Sequence, residues 1–195
     1  MTAGFLYTLG FENGGSFNAS FGQSYHIAGQ NSFVTGSGLD DTVSDLVAAV
    51  WLQPDTYYKL SYQARFDPES LAIREQDIGI SATFSRLKTA LNYVKVDEAV
   101  AYGREDDLQQ IWGSAEVNLG WGVSVFGGGR YDIDDDKFID RYAGIGFNCD
   151  CAKVRFRYKE EFLTDRDSVR DRSFLLDVEL VTLGSTSFGT SVSGQ

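Results

Sequence analysis

The chain has 195 residues and 21.6 kDa, with Gly 21, Tyr 10, Phe 14 and Trp 3 against only Pro 2 and Met 1. This length suits one domain, and this mix of aromatics and glycine favours strands and tight turns over helices. Lys+Arg 17 against Asp+Glu 28 gives a formal charge of -11, which excludes nucleic acid as a partner because phosphate backbones need a clustered excess of cations.

Taken in chain order, the sequence follows a period of two residues and not the 3.6 of a helix. The alternation predicts strands over about 3–12, 15–26, 42–53, 56–67, 71–85, 86–97, 107–119, 120–133, 138–147, 152–162 and 172–183. In the fourth, Tyr58, Leu60, Tyr62, Ala64 and Phe66 oppose Tyr57, Lys59, Ser61, Gln63 and Arg65. In the eighth, Trp121, Val123, Val125 and Tyr131 oppose Ser124, Arg130 and Asp132. The tenth sets Ala152, Val154, Phe156 and Tyr158 against Lys153, Arg155, Arg157 and Lys159. In the eleventh, Phe174, Leu176, Val178 and Leu180 alternate with Asp177 and Glu179. Such segments match the roughly 9–11 residues of a tilted transmembrane strand and exceed the usual soluble strand of about five or six.

The links between strands alternate in length. Short turns are expected at Asn13-Gly14, Pro54-Asp55, Ser85-Arg86, Gly120 and 148–151. Longer polar links are expected at 27–41, 98–106 and 163–171, with smaller ones near 68–70 and 134–137. Outer-membrane barrels have short periplasmic turns and longer outer loops, so the alternation assigns the two sides. Trp51, Tyr57, Tyr58, Phe84, Trp121 and Phe147 lie near the short turns, where an interfacial aromatic girdle would fall. The expected fold is therefore all-β, an antiparallel transmembrane β-barrel meander of about eleven strands. Eleven is odd and a closed bacterial barrel is even, so the sheet is expected to be an incomplete part of a larger barrel. A soluble antiparallel sheet would explain the alternation but neither the strand length nor the two-sided turns.

On the polar face, Lys153, Arg155, Arg157 and Lys159 adjoin Asp177 and Glu179, so lumen charges of opposite sign are expected to pair across strands. Catalytic groups are scarce. His26 is the only histidine and precedes a Gly/Ser-rich loop, so it reads as solvated or lumen-lining. Asp132, Asp134 and Asp136 imitate the start of a calcium loop, but Lys137 and Ala143 stand where that loop needs glycine and glutamate. Gly127-Gly128-Gly129 precedes no helix and reads as a bend or a close packing point. No catalytic residue, metal site or cofactor is expected. Cys149 and Cys151 flank Asp150 in a turn on the periplasmic side, an oxidising compartment. A bridge between residues i and i+2 is sterically awkward. Pairing with cysteines outside this chain, a strained pair and two incidental thiols are the alternatives.

Three segments carry a family likeness. Phe21-Gly22-Gln23-Ser24-Tyr25 resembles a strand of the lipopolysaccharide (LPS) assembly family LptD. Residues 142–158, with Cys149 and Cys151 in the turn, are similar to its penultimate hairpin, and Arg172–Leu180 resembles its final strand. The likeness runs from about residue 15 to 184. It implies that residues 1–195 form the C-terminal portion of an outer-membrane LPS translocon in a Gram-negative cell, without the family's signal peptide and periplasmic jellyroll. It also implies an LptE-like plug lipoprotein, an LptA-like periplasmic bridge, and LPS itself as partners. Phe174, Leu176, Val178 and Leu180 would lie on a lateral-gate strand at the barrel seam. Cys149 and Cys151 would bond to cysteines outside this chain, although the family's cysteines are adjacent and Asp150 intervenes here. The rival readings are a small autonomous outer-membrane barrel, as a diffusion channel or surface protein, and an outer-membrane protease or acyltransferase, which a single histidine makes poor.

Overall fold

A computed structural model describes residues 1–28, 32–33, 37–97, 107–165, 167–180 and 184–193. All regular structure in them is strand: β1 Thr2–Gly10, β2 Ser16–Ser24, β3 Leu46–Gln53, β4 Tyr58–Phe66, β5 Ile73–Thr83 and β6 Leu87–Val96, then β7 Leu108–Gly120, β8 Val123–Asp132, β9 Lys137–Asn148, β10 Ala152–Asp165, β11 Asp167–Leu180 and β12 Gly184–Ser193. They form one sheet in the order β1 to β12, an up-and-down meander with β1 and β12 at its edges. No helix among the described residues is long and apolar enough to cross a membrane, which leaves crossing by strands untouched. The chain divides into two compact units, Met1–Ser81 with Asn92–Gln110, and Ala82–Leu91 with Ile111–Gln195.

In the first unit the register sorts side chains cleanly. Phe5 stands opposite Phe21, Tyr7 opposite Ala19 and Leu9 opposite Phe17. The same face continues through Ala48, Val50 and Leu52 of β3 to Ala64, Tyr62 and Leu60 of β4. The other face carries Thr8, whose hydroxyl donates to Asn18 at 2.9 Å, together with Ser20, Ser61, Gln63 and Arg65. In the second unit Val123 and Val125, Phe147 and Ile145, Val154 and Phe156, and Val178 and Leu176 occupy one face of β8 to β11.

That apolar face is uncovered. Phe5 is 64% exposed, Ile145 57% and Phe156 47%, whereas Ala49, Ala64 and Val96 are the buried apolar side chains among the described residues. A soluble half-buried sheet packs this face against a second layer, so the soluble-sheet alternative is set aside.

The links sort only in part by strand parity, since a single position joins β10 to β11 after an even-numbered strand. Residues 11–15, 54–57, 84–86, 121–122 and 149–151 follow odd-numbered strands, and 25–45, 67–72, 97–107 and 133–136 follow even-numbered ones. Of the expected long links, 29–31, 34–36 and 98–106 lie outside the described residues. The β7–β8 connection is Trp121-Gly122, with φ of 50° and 78°, the left-handed pair that a two-residue hairpin demands. A Cβ on Gly122 would meet the Asn148 carbonyl oxygen.

Two elements differ from expectation. The stretch 163–171, expected as a loop, belongs to β10 and β11, which pair as far as Asp165↔Asp167; Arg166 lies outside the described residues. Its charges mimic a loop, but a ladder that has passed beyond the apolar band tolerates polar residues on both faces. The segment Gly184–Ser193 adds β12, paired to β11 from Asp171↔Ser193 to Leu180↔Gly184. Ser185, Ser187 and Ser191 against only Phe188 and Val192 make an alternation too weak to separate from a polar tail.

Glycine makes room on the polar face of the second unit. A Cβ on Gly144 would fall against the Phe156 carbonyl and the Phe126 ring, and one on Gly146 would lie 2.7 Å from Ser124 Oγ. Gly144→Val should therefore displace Phe126 and cost about 1–3 kcal/mol through overpacking. It would be read as a lower urea midpoint of the folded, fast-migrating form on unheated gels, and an unchanged midpoint would show that the space is not shaped for that ring.

Candidate functional site

The polar face of β10 and β11 is a set of ion pairs. Lys153 Nζ lies 3.0 Å from Glu179 Oε1, directly across the ladder. Arg155 stands opposite Asp177, yet it is Arg157 that reaches that carboxylate, at 3.2 Å. The diagonal choice suits the strand twist, which brings i, j±2 neighbours within reach of long side chains. Arg155 turns the other way, over the Phe126 ring at 4.2 Å and on to Glu116 of β7 at 3.2 Å. Lys159 pairs with Glu161 on its own strand. Each of the expected lumen cations thus has an acid, but only Lys153 and Arg157 find it on β11.

Phe174, Leu176, Val178 and Leu180 share the opposite, apolar face with Tyr158, Phe156, Val154 and Ala152 of β10. Their strand is hydrogen-bonded on both sides, by β10 and by β12. The edge position expected for 172–183 thus belongs to β12, and 181–183 lie outside the described residues. The aromatic girdle also needs correction at one position. Trp51 pairs in register with Ser61 and Asn18, so it lies on the polar face and lines a hollow with Ser16, Lys59, Gly79 and Asn92. Its position near a short turn was right, but residue parity puts it on the inner side. Trp121, 97% exposed, lies in a short turn and Phe147 on the apolar face.

The β9–β10 turn brings Cys149 Sγ and Cys151 Sγ to 2.6 Å, both as free thiols. Sequence spacing alone suggested that they stay apart. The Cys149 N–H donates to the Ala152 carbonyl at 2.9 Å, and this reversal at Asp150 sets both sulfurs on one side of the turn. The hydrogen bond between the sulfurs, helped by the backbone N–H groups of Cys151 and Ala152, holds the Cys149 thiol below its ordinary value. The same bond pushes Cys151 up.

A second polar cluster lies in the first unit at the strand ends beyond Asp45, and sequence reading missed it. Asp45, only 4% exposed, forms ion pairs with Arg65 Nε at 3.1 Å and with Arg74 Nη1 at 3.0 Å, the second of them hydrogen-bonded. Arg74 also pairs with Asp67. Backbone contacts fix the returning link: Asp45 N–H donates to Gly38 O, Ser44 N–H to Ser24 O and His26 N–H to Thr42 O, each at 2.8 Å. His26 is thus part of a loop anchor. Burial outweighs both arginines and raises the Asp45 carboxyl above its usual range. The Ser70 backbone N–H, the Ser70 hydroxyl and the Glu69 N–H lower Asp67 to about 2. The only acid signal in the sequence here was isolated Asp45 before an apolar run, indistinguishable from any strand-end residue.

The Asp132–Asp136 turn closes on itself. Asp132 is 2% exposed and accepts from the Asp135 N–H at 3.2 Å, Lys137 pairs with Asp135 at 2.8 Å, and the Tyr131 hydroxyl meets Asp136. Among the described residues no group of three or more His, Cys, Asp or Glu is placed to hold a metal.

A long meander with one uncovered apolar face and one charge-paired face is the arrangement of a membrane barrel wall, and the LptD family model, LPS transport system D, matches residues 1–121. The chain belongs to the LptD family. That membership ties it to LPS transport. No curated protein matches it. The family match includes Phe21–Tyr25 and stops short of the cysteine turn and of β11, so these are read for this LptD member from their own geometry.

Two outcomes follow. In the reduced protein at pH 7.5, iodoacetamide should modify Cys149 faster than Cys151, because more of it is thiolate; peptide mapping that finds equal rates would contradict the turn geometry. Asp67, whose folded value lies below the roughly 3.9 of an unfolded aspartate, stabilises the fold above that value and loses the effect as pH falls through about 2. Asp67→Asn should lower the unfolding midpoint at pH 6 and leave it equal to wild type near pH 2. A difference of the same size at both pH values would locate the effect elsewhere.

Proposed function

We propose that this LptD member acts in LPS transport and insertion into the outer leaflet of the outer membrane, as the C-terminal barrel segment of a translocon. The observation that carries the reading is the family match together with a sheet that has a charge-paired face behind an uncovered apolar one. An LPS molecule crosses only if its sugar-phosphate head stays wet while its tails stay in hydrocarbon. A polar lumen beside a seam that opens laterally supplies both environments. Lys153, Arg155, Arg157, Lys159, Asp177 and Glu179 would line the path of the head, each cation matched so that the wall carries no large unpaired charge.

The lateral exit is proposed at the β12 edge, with Phe174, Leu176, Val178 and Leu180 of β11 directly behind it. An open edge in lipid leaves backbone groups unsatisfied, so further strands of the polypeptide would close the barrel. Cys149 and Cys151 would exchange their mutual contact for disulfides to a periplasmic domain outside residues 1–195. An LptE-like lipoprotein would fill the lumen and an LptA-like bridge would deliver LPS.

Depletion of the full-length protein should reduce surface-labelled LPS several-fold and trap LPS in the inner membrane. Unchanged surface LPS with altered uptake of small solutes would favour a diffusion channel and overturn transport. A cysteine at Ser187 of β12, oxidised to one on the strand closing the seam, should stop export until reductant is added; continued export would overturn the β12 exit alone.

A further inference from the structure

The apolar face of β9, β10 and β11 ends abruptly. From the cysteine turn upward, its rows are Phe147–Val154–Val178, Ile145–Phe156–Leu176 and Ala143–Tyr158–Phe174. The next row is Arg141–Glu160–Arg172, followed by Phe162 beside Arg170. Arginine on the lipid-facing side of a barrel costs about 2–4 kcal/mol at the bilayer midplane and little near the interface. These residues therefore mark the level at which hydrocarbon gives way to headgroups, on the side away from Cys149 and Cys151.

Glu160 organises the row. It is 5% exposed and receives Arg141 Nε at 2.6 Å, Arg172 Nε at 3.3 Å and the Tyr158 hydroxyl at 2.6 Å. Arg141 and Arg170 flank the Phe162 ring, at 5.6 and 5.2 Å from its centre. Two guanidinium groups thus pair with one carboxylate and a third, Arg170, lies over the neighbouring Phe162 ring, which leaves a net charge of two positive on that surface. The side chains of Arg141 and Arg172 remain 52% and 50% exposed, with donors not used by Glu160 facing outward. Arg141 is held by both the buried acid and the Phe162 ring and Arg172 by the acid alone, which lowers the entropy lost when they bind an anion. Directly below, Tyr158, Phe174, Phe156 and Leu176 offer an acyl-chain surface, with Tyr158 and Phe174 in tilted contact at 5.2 Å.

We propose that Arg141, Arg170 and Arg172 form a binding site on the outward face for the phosphorylated headgroup of an outer-leaflet glycolipid, whose acyl chains lie on the apolar rows beneath. The occupant is a lipid and not free phosphate, because the cations border an apolar surface of acyl-chain length. Bidentate guanidinium–phosphate bonds supply the headgroup contact. The site holds lipid against the outside of the wall, separate from any path through the lumen. It rests on the outer-membrane placement of the sheet and not on transport.

The test uses the full-length protein in nanodiscs doped with bisphosphorylated lipid A or with its dephosphorylated form, and native mass spectrometry counts the lipid retained. Wild type should retain the bisphosphorylated form about 10-fold better, the equivalent of one charge-assisted pair or more. Arg170→Gln, which disturbs only the Phe162 stack, should cut that preference several-fold. The triple variant Arg141→Gln, Glu160→Gln and Arg172→Gln removes the buried acid together with both its partners and leaves Arg170 as the one charge, and it should cut the preference further than Arg170→Gln does. Arg86→Gln, in a turn after an odd-numbered strand, should leave it intact. Equal retention of both lipids by wild type, or an undiminished preference in the triple variant, would overturn the site. Displacement of the lipid by millimolar inorganic phosphate would overturn the lipid assignment. Retention as expected, in a protein whose depletion leaves surface LPS unchanged, would keep the site and remove only the transport reading.

Discussion

The structure depends on one constraint: in hydrocarbon, each backbone N–H and C=O must find its partner inside the protein. An unbroken antiparallel ladder from β1 to β12 meets it everywhere except at the two edges. Once the ladder satisfies the backbone, the side chains on one face are free to remain apolar and uncovered. In water the same surface would associate or collapse, because Phe5, Phe21, Ile145 and Phe156 lie open with no second layer. Fold and environment are therefore a single statement here. An uncovered apolar face and two open edges suit a sheet with lipid in place of a second layer and further strands at its edges.

The polar face follows a different rule. It carries strong charges at short range, and it carries them in pairs, so its cost in a partly dehydrated lumen stays small. Glycine decides which pairs form. Gly144 and Gly146 clear space beside Phe126 and Ser124, and that space lets Arg155 lie flat over Phe126 and reach Glu116. With larger residues there, Arg155 would be held to its register partner Asp177 and would compete with Arg157. A strand-by-strand pattern of charges therefore becomes a network that spans β7 to β11, which stiffens the wall without an apolar core.

Most of the strands were legible because period-two alternation is local and a barrel wall shows it over long runs. Faces were legible for the same reason: Lys153 to Lys159 against Val154 to Tyr158 needs no tertiary information. What failed to show in the sequence was anything decided across strands. The partner of Arg155 sits 39 residues away in the chain, and the burial of Asp45 comes from a link folding back onto Arg65 and Arg74. Trp51 was misplaced because closeness to a turn was used where parity decides the face. The β12 strand was missed because a run of serine, threonine and glycine with only Phe188 and Val192 gives almost no hydropathy contrast. The closeness of the two sulfurs was hidden because i, i+2 spacing means separation along a strand and juxtaposition at a reversal.

The position of Glu160 links these rules. It is an acid on the apolar face, which alternation alone would call an error, and it is more deeply buried than any aromatic residue around it. A buried carboxylate there is tolerable only with cations beside it. Those cations in turn are tolerable only at the level where lipid presents polar groups. On the proposed placement, Arg141, Arg170 and Arg172 would fix the depth of the sheet in the bilayer together with the apolar rows below them. On that placement the Cys149–Cys151 turn, at the opposite end of the same rows, would lie outside the hydrocarbon. With the cysteines on the periplasmic side, as proposed, the arginine row would meet the outer leaflet.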